Sequence, residues 1–405
     1  MAKKEGEFSF NDLNNLMTKT SQWGGLMSDG AGVSEITDYI PTGNYLLNAC
    51  LTGSMFKGIP NNRSVAFSGE SGVGKTYLLL NVAREAQKKG KFVIWYDSEN
   101  AIDIHQINTF GIDPTKFRYE PVGTVQEFRT SITNVVDTLI EQKQSGNKIP
   151  EVIFILDSVG NLATQKEVDD AKSGSEKADM TRPKVIRSIF RILMSKLGII
   201  GATFCFSNHT YQSMDLFSQT QQSGGQGLVY GASIILNMSK AKLKEDGGTN
   251  QTGIRVISKP QKNRFCKPIP IEFHISFVRG MNPYVGLQDF ISWERCGIQR
   301  GKFVTAKEYE KDPENTIKFD APSGETMYFV GSETARNICT DSGVAVPLNQ
   351  LFTKEVFTQD RLLRLDKYIQ DYFSYPSGNT GDIEDLLSES VGDEDVSDMI
   401  ADQLD

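Results

Sequence analysis

Residues 69–76 read Gly69-Glu70-Ser71-Gly72-Val73-Gly74-Lys75-Thr76. Three glycines let successive backbone N–H groups turn inward on one anion, and the residues that close the run add a cation and a hydroxyl. A loop of this kind, following a strand and opening a helix, grips nucleotide phosphates on the helix N-terminus. Lys75 balances the β and γ charges, and the Thr76 hydroxyl ligates Mg²⁺. ATP and Mg²⁺ are therefore the expected cofactors. The metal needs a carboxylate at the end of a neighbouring strand, and Val152-Ile153-Phe154-Ile155-Leu156-Asp157-Ser158 places Asp157 after five apolar residues. Asp97-Ser98-Glu99 ends another apolar run and offers Glu99 or Asp97 as the base that polarises water. Ser207-Asn208-His209 ends a third, bringing one of only three histidines to the same kind of position.

These groups meet only if their strands lie side by side, and the apolar pattern predicts that. Ser64–Ser68, Phe92–Tyr96, Val152–Leu156, Thr203–Ser207, Ser233–Met238, Ile254–Ser258 and Ile271–Phe277 read as strands. Helices are predicted near Thr76–Lys88, Thr124–Lys143 and Pro183–Lys196, between the earlier strands. That alternation specifies βαβ units around a mostly parallel sheet flanked by helices, with hairpin-like strands at the end, an α/β fold. Open parallel sheets bind ligands at the strands' C-terminal edge. The predicted organisation is an N-terminal arm (1–35), a nucleotide-binding core (36–289), a small C-terminal domain (290–376) closing on a helix near Gln359–Phe373, and an acidic tail (377–405).

The chain has 405 residues, 39% hydrophobic and 23% charged, enough to bury a large core. Its net charge of −8 is uneven: 377–405 carries ten acidic residues and no Lys or Arg, which leaves 43 basic against 41 acidic residues elsewhere. The tail could compete with polyanions for basic surface or dock a basic mediator protein. Five scattered cysteines form no close pair, which argues against disulfides and zinc and for the cytoplasm. The most apolar stretch, Ile189–Phe206, is broken by Arg191 and Lys196, so no membrane association is expected.

Taken together the motifs resemble the RecA family, and within it the phage UvsX-type branch. The residues that carry this are Pro41-Thr42-Gly43, Tyr96-Asp97-Ser98-Glu99, Leu156-Asp157-Ser158-Val159-Gly160-Asn161-Leu162-Ala163, Asp179-Met180-Thr181-Arg182, Asn208-His209-Thr210-Tyr211 and Asn282-Pro283-Tyr284-Val285-Gly286-Leu287. The resemblance implies a RecA-like core and a DNA-dependent ATPase. It also implies helical filaments on single-stranded DNA that pair with homologous duplex DNA and exchange strands in recombination, repair and replication, alongside mediator and single-strand-binding proteins. In this resemblance Glu99 activates the attacking water and His209 senses the γ-phosphate. Lys262 and Arg264 reach across a subunit boundary to the neighbour's ATP. The adenine-stacking position falls on Gln106, with His105 beside it.

Two segments after ligand-edge strands are long for a compact domain: Thr164–Met180, charged and nearly devoid of large apolar residues, and Thr210–Gly227, a polar loop of Ser, Gln and Gly. They resemble the family's DNA-contacting loops. Met180, Tyr211, Met214 and Phe217 are candidates to stack on or wedge between bases, and Gly224-Gly225 marks the return of the second loop. Arg182, Lys184, Arg187 and Arg191 form a basic series along the helix after the first loop, suited to a phosphate backbone. Two other readings share these motifs: a hexameric helicase or DNA motor, and a non-motor accessory ATP-binding protein.

Overall fold

The computed structural model describes residues 8–21, 23–26, 28, 35–174, 181–212, 220–222, 231–244 and 250–376. The chain divides into two units, Met1–Phe373 and Ser374–Asp405. The first is built on one ten-stranded sheet, and its strands are β3 (Ser64–Gly69), β4 (Phe92–Asp97), β5 (Phe117–Pro121), β6 (Val152–Asp157), β7 (Thr203–Gln212), β8 (Thr220–Gln222), β9 (Ile234–Lys244), β10 (Gln251–Lys262), β11 (Ile271–Ser276) and β12 (Gly280–Met281). Short strands β1 (Tyr39–Ile40) and β2 (Ile59–Pro60) pair separately. The order is β12-β11-β10-β9-β3-β7-β6-β4-β5, with β8 on β7. Six strands, β9 through β5 in that order, are mutually parallel, and β10 to β12 add on antiparallel. The expected α/β sheet with late hairpins is what forms.

The parallel strands are apolar on both faces because both faces are covered. Val65, Phe67, Val93, Trp95, Ile153, Ile155 and Cys205 face the layer that holds Leu78, Leu79, Val82 and Ala86 of helix α3 (Lys75–Lys88). Their neighbours Ala66, Ile94, Tyr96, Phe154, Leu156, Phe204 and Phe206 face the other layer, with α5 (Val125–Gln144) and α7 (Arg182–Ile200). Phe128, Phe190, Phe204 and Phe206 form a run of ring contacts there, each fully buried ring contributing about 1.5–3 kcal/mol.

Beyond the sheet, α1 (Phe10–Thr20), α2 (Tyr45–Thr52) and the short α4 (Ile104–Thr109) complete the N-terminal half. A five-stranded antiparallel sheet spans Ile298–Pro347 and leads to the final helix Gln359–Phe373. That helix sends Leu362, Leu365, Ile369 and Phe373 into the same apolar layer as β3. Its buried Asp366 accepts from Ser54 Oγ at 3.0 Å and Met55 N at 2.6 Å, pinning it to the end of α2.

Two segments differ from the sequence expectation. Part of Thr164–Met180 is helix α6 (Gln165–Ser173): Thr164 caps it and Glu167 returns the bond in a capping box, although no residue of the helix is buried. β7 continues past Ser207 to Gln212 and pairs with β8, so the start of the second polar segment is a ribbon.

Candidate nucleotide site at the sheet edge

Register alone gathers the candidate residues. Gly69 lies opposite His209 on β7, and Asp97 lies opposite Asp157 on β6, so the P-loop, both acidic ends and the histidine share one edge. Gly69 must be glycine because a Cβ there would run into the Met238 carbonyl of β9, and Gly72 and Gly74 adopt the left-handed φ values of +74° and +92° that the loop requires. Gly74 caps α3, whose first residues are Lys75 and Thr76.

Lys75 Nζ donates to the carbonyls of Gly69 at 2.9 Å and Glu70 at 2.8 Å. Burial holds its ammonium below the usual lysine range, a site that gains from incoming phosphate charge. Thr76 Oγ1 donates to Asp157 Oδ2 at 2.6 Å, and Ser207 Oγ donates to Asp157 Oδ1. Burial pushes the Asp157 carboxyl up, against the pull of those two hydroxyls. A cation beside it would hold it ionised. Among the described residues there is no cluster of three or more His, Cys, Asp or Glu that could hold a metal. One carboxylate and one hydroxyl, both hard oxygen donors, instead fit Mg²⁺, which is commonly held by one or two carboxylates together with substrate phosphates.

Asp97 and Glu99 separate into two roles. Asp97 is 1% exposed and its carboxylate accepts from Glu99 N at 2.8 Å, Ala101 N at 3.0 Å and Tyr119 Oη at 3.3 Å. It therefore shapes the turn, in which Asn100 takes the left-handed conformation at φ 52°. The Glu99 side chain keeps 24% of its exposure. Its Oε1 lies 2.9 Å from His209 Nε2 and accepts from Ser158 Oγ at 2.5 Å. The bond from His209 is the largest cause holding the Glu99 carboxyl below the usual glutamate range.

That direction sets a pH dependence. The folded-state carboxyl is depressed, so its ionised form is kept as pH falls through the ordinary carboxylate range and is lost only below it. His209→Ala removes the main cause, so the acid limb of the hydrolysis rate, read as kcat/KM from below the ordinary carboxylate range up to neutral pH, should move to higher pH. An acid limb that stays in place in His209→Ala would disprove the assignment.

The structure also contributes a residue the motifs did not reveal. Lys240, on the part of β9 that passes the P-loop, donates from Nζ to the Ser71 carbonyl at 2.6 Å. Its charge is among the influences that lower Lys75. Only a long β9 brings it there, and the apolar signal ends at Met238.

Other expected residues lie elsewhere. Gln106 closes a capping box with Asp103 at the start of α4, and His105 is exposed on the same turn. Lys262 pairs with Ile235 near the start of β9, and Arg264 lies close to Arg63, which precedes β3. Both are toward the N-terminal end of the parallel strands, away from this chain's P-loop. Lys184, Arg187 and Arg191 are exposed on α7, opposite buried Ile186, Ile189, Phe190 and Leu193. Arg182 turns inward, toward the Val159 and Gly160 carbonyls. Met180, Met214, Phe217, Gly224 and Gly225 lie outside the described residues, as does the Tyr211 side chain. Among the described residues no helix is long and apolar enough to cross a membrane.

The family model for the RecA N-terminal domain matches residues 12–282. The chain is 31% identical over 251 residues to the recombination and repair protein of Enterobacteria phage T4, a match covering 62% of this chain and 61% of that protein. It is 26% identical over 262 residues to protein RecA of Rippkaea orientalis, covering 64% and 70%, and 26% identical over 295 residues to protein RecA of Synechococcus sp. strain CC9902, covering 71% and 72%.

Proposed function

The chain belongs to the RecA family, and from that premise we propose that it is an ATP-dependent DNA recombinase of the phage type. It assembles as a helical filament on single-stranded DNA, pairs that strand with homologous duplex DNA and exchanges strands. The observation that carries this reading is the continuity of β7. One strand holds His209, against Glu99, and then runs directly into the ribbon with β8, where Thr210 pairs with Gln222. A residue that responds to the γ-phosphate and the segment assigned to DNA are thus neighbours on one continuous strand.

In hydrolysis, the P-loop amides and Lys75 bind and orient the phosphates. Thr76 and Asp157 would hold a Mg²⁺ ion, which would supply charge neutralisation on the phosphates. Glu99, with Oε1 engaged by His209 and Ser158, uses its other oxygen to take the proton from the attacking water. Lys262 and Arg264, remote from this chain's own P-loop, act on the nucleotide of a neighbouring copy. The exposed face Lys184, Arg187 and Arg191 follows the phosphate backbone, which gives sequence-independent contact. Contact with the nucleotide base falls to the exposed turn that carries His105 and Gln106, shortly after Glu99 in the chain. Mediator and single-strand-binding proteins are the expected partners in the cell.

The reading is tested by imaging the protein with single-stranded DNA and a slowly hydrolysed ATP analogue. Open helical filaments are expected. Closed rings would favour a helicase or other motor instead, and DNA-independent hydrolysis without assembly would favour an accessory ATP-binding protein.

A further inference from the structure

Arg182 occupies the first position of α7, where the helix dipole opposes a cation. Its Nε is buried without an acceptor among the described residues. Both features are unfavourable, and the guanidinium's contacts explain why an arginine stands there. Nη2 donates to the Gly160 carbonyl at 2.5 Å and to the Val159 carbonyl at 3.2 Å. Those carbonyls belong to the tight turn Val159–Asn161, which directly follows Asp157 and Ser158. Gly160 in turn lies against the histidine: a Cβ built on it would stand 3.0 Å from His209 Cδ2 and 3.4 Å from His209 Cβ and N. His209 Nε2 then meets Glu99 Oε1 at 2.9 Å. Contacts therefore run without a gap from the start of the basic helix to the hydrolytic carboxylate.

We propose that Arg182 is a positioning residue for the Glu99–His209 pair, through which the seating of the basic face of α7 sets the rate of hydrolysis. The proposal rests on the reading of Glu99 as the base that activates water. Ile186, Ile189, Phe190 and Leu193 bind helix α7 to one apolar layer, so a load on its exposed face bears on the whole helix. A polyanionic strand laid along Lys184, Arg187 and Arg191 pulls on that helix. Arg182 passes the displacement to the Val159–Gly160 backbone, and Gly160, having no side chain, lets that backbone bear directly on the His209 ring. The ring then fixes the orientation of the Glu99 carboxylate.

The test compares ATP hydrolysis with and without saturating single-stranded DNA in Arg182→Gln and Gly160→Ala, together with DNA affinity and melting temperature. In both variants the stimulation by DNA, the ratio of the two rates, should fall about 2- to 30-fold, the usual span for coupling residues that touch neither ligand. Gly160→Ala acts through displacement of the His209 ring and keeps Arg182 intact, so it answers the question even where Arg182→Gln folds poorly. Full stimulation at saturating DNA in either well-folded variant overturns the proposal. So does an Arg182→Gln protein whose only change is weaker DNA binding, which would make Arg182 a direct DNA contact. Equal losses of basal and stimulated rate with a lowered melting temperature would make it a structural clamp and overturn the proposal as well. Glu99→Gln separates the two levels. Hydrolysis that survives in Glu99→Gln removes the premise, whereas its loss alongside intact stimulation in Arg182→Gln removes only the role of Arg182.

Discussion

Glu99→Gln is expected to lower the turnover number for ATP hydrolysis by about 10²- to 10⁴-fold, the usual contribution of a positioned general base, with little change in nucleotide affinity. The amide keeps the size of the side chain and can still accept from Ser158 Oγ and pair with His209, so the local structure holds. What it loses is the basic oxygen. In the proposed mechanism nucleotide binding is anchored elsewhere, by the P-loop amides, Lys75 and Thr76, so the loss should fall on kcat and leave KM nearly unchanged. The same variant should hold single-stranded DNA longer than the parent, because the ATP state is no longer discharged. Single-turnover hydrolysis and the lifetime of the DNA complex check both halves. A turnover number within a factor of a few of the parent's would remove Glu99 from the mechanism. Asp97→Asn offers a contrast: it disturbs the N–H bonds that shape the Glu99 turn, so it should lower stability as well as rate.

Much of this site was legible in the sequence because it is written in local signals. A glycine-rich loop with Lys-Thr at a helix start, and strands that end in Asp, Glu or His, each state their chemistry within a few residues. The parallel sheet then follows from alternating strand and helix, and register along it brings Gly69, Asp97, Asp157 and His209 to one edge. The residues that escaped notice depend on long-range geometry. Lys240 reaches Ser71 only because β9 runs on beyond the end of β3, paired there with β10, and an exposed strand end carries no apolar pattern. Arg182 read as one member of a basic series because spacing cannot show which way a guanidinium turns. Helix α6 was missed for the same physical reason: with no buried face it has no hydrophobic period, and only the Thr164–Glu167 capping pair announces it. The roles of Asp97 and Glu99 could not be separated from their spacing, since hydrogen-bond saturation is a property of the folded turn.

Lys75→Ala is expected to have the broadest effect of any single change. Lys75 is the buried cation of the P-loop, 7% exposed, and burial already presses its ammonium toward the neutral form. Removing it leaves the β and γ charges to the loop amides and Mg²⁺ alone, and the loss in hydrolysis should reach at least the 10²- to 10³-fold typical of one lost charge-stabilising donor. The consequence for DNA follows from β7. If the γ-phosphate sets His209 and β7 carries that setting to the ribbon with β8, a protein that cannot grip the γ-phosphate cannot pass its presence on.

The most direct measurement is the salt concentration that releases the protein from a labelled single-stranded oligonucleotide, with a slowly hydrolysed ATP analogue and with ADP, for the parent and for Lys75→Ala. Binding dominated by phosphate contacts weakens steeply with salt, so the release point reads affinity sensitively. The parent should bind about 5- to 150-fold more tightly with the analogue than with ADP, the range typical of coupled sites, and Lys75→Ala should show one release point for both nucleotides. A Lys75→Ala protein that keeps the parent's difference between the two nucleotides, or a parent that shows none, would contradict the coupling of nucleotide state to DNA.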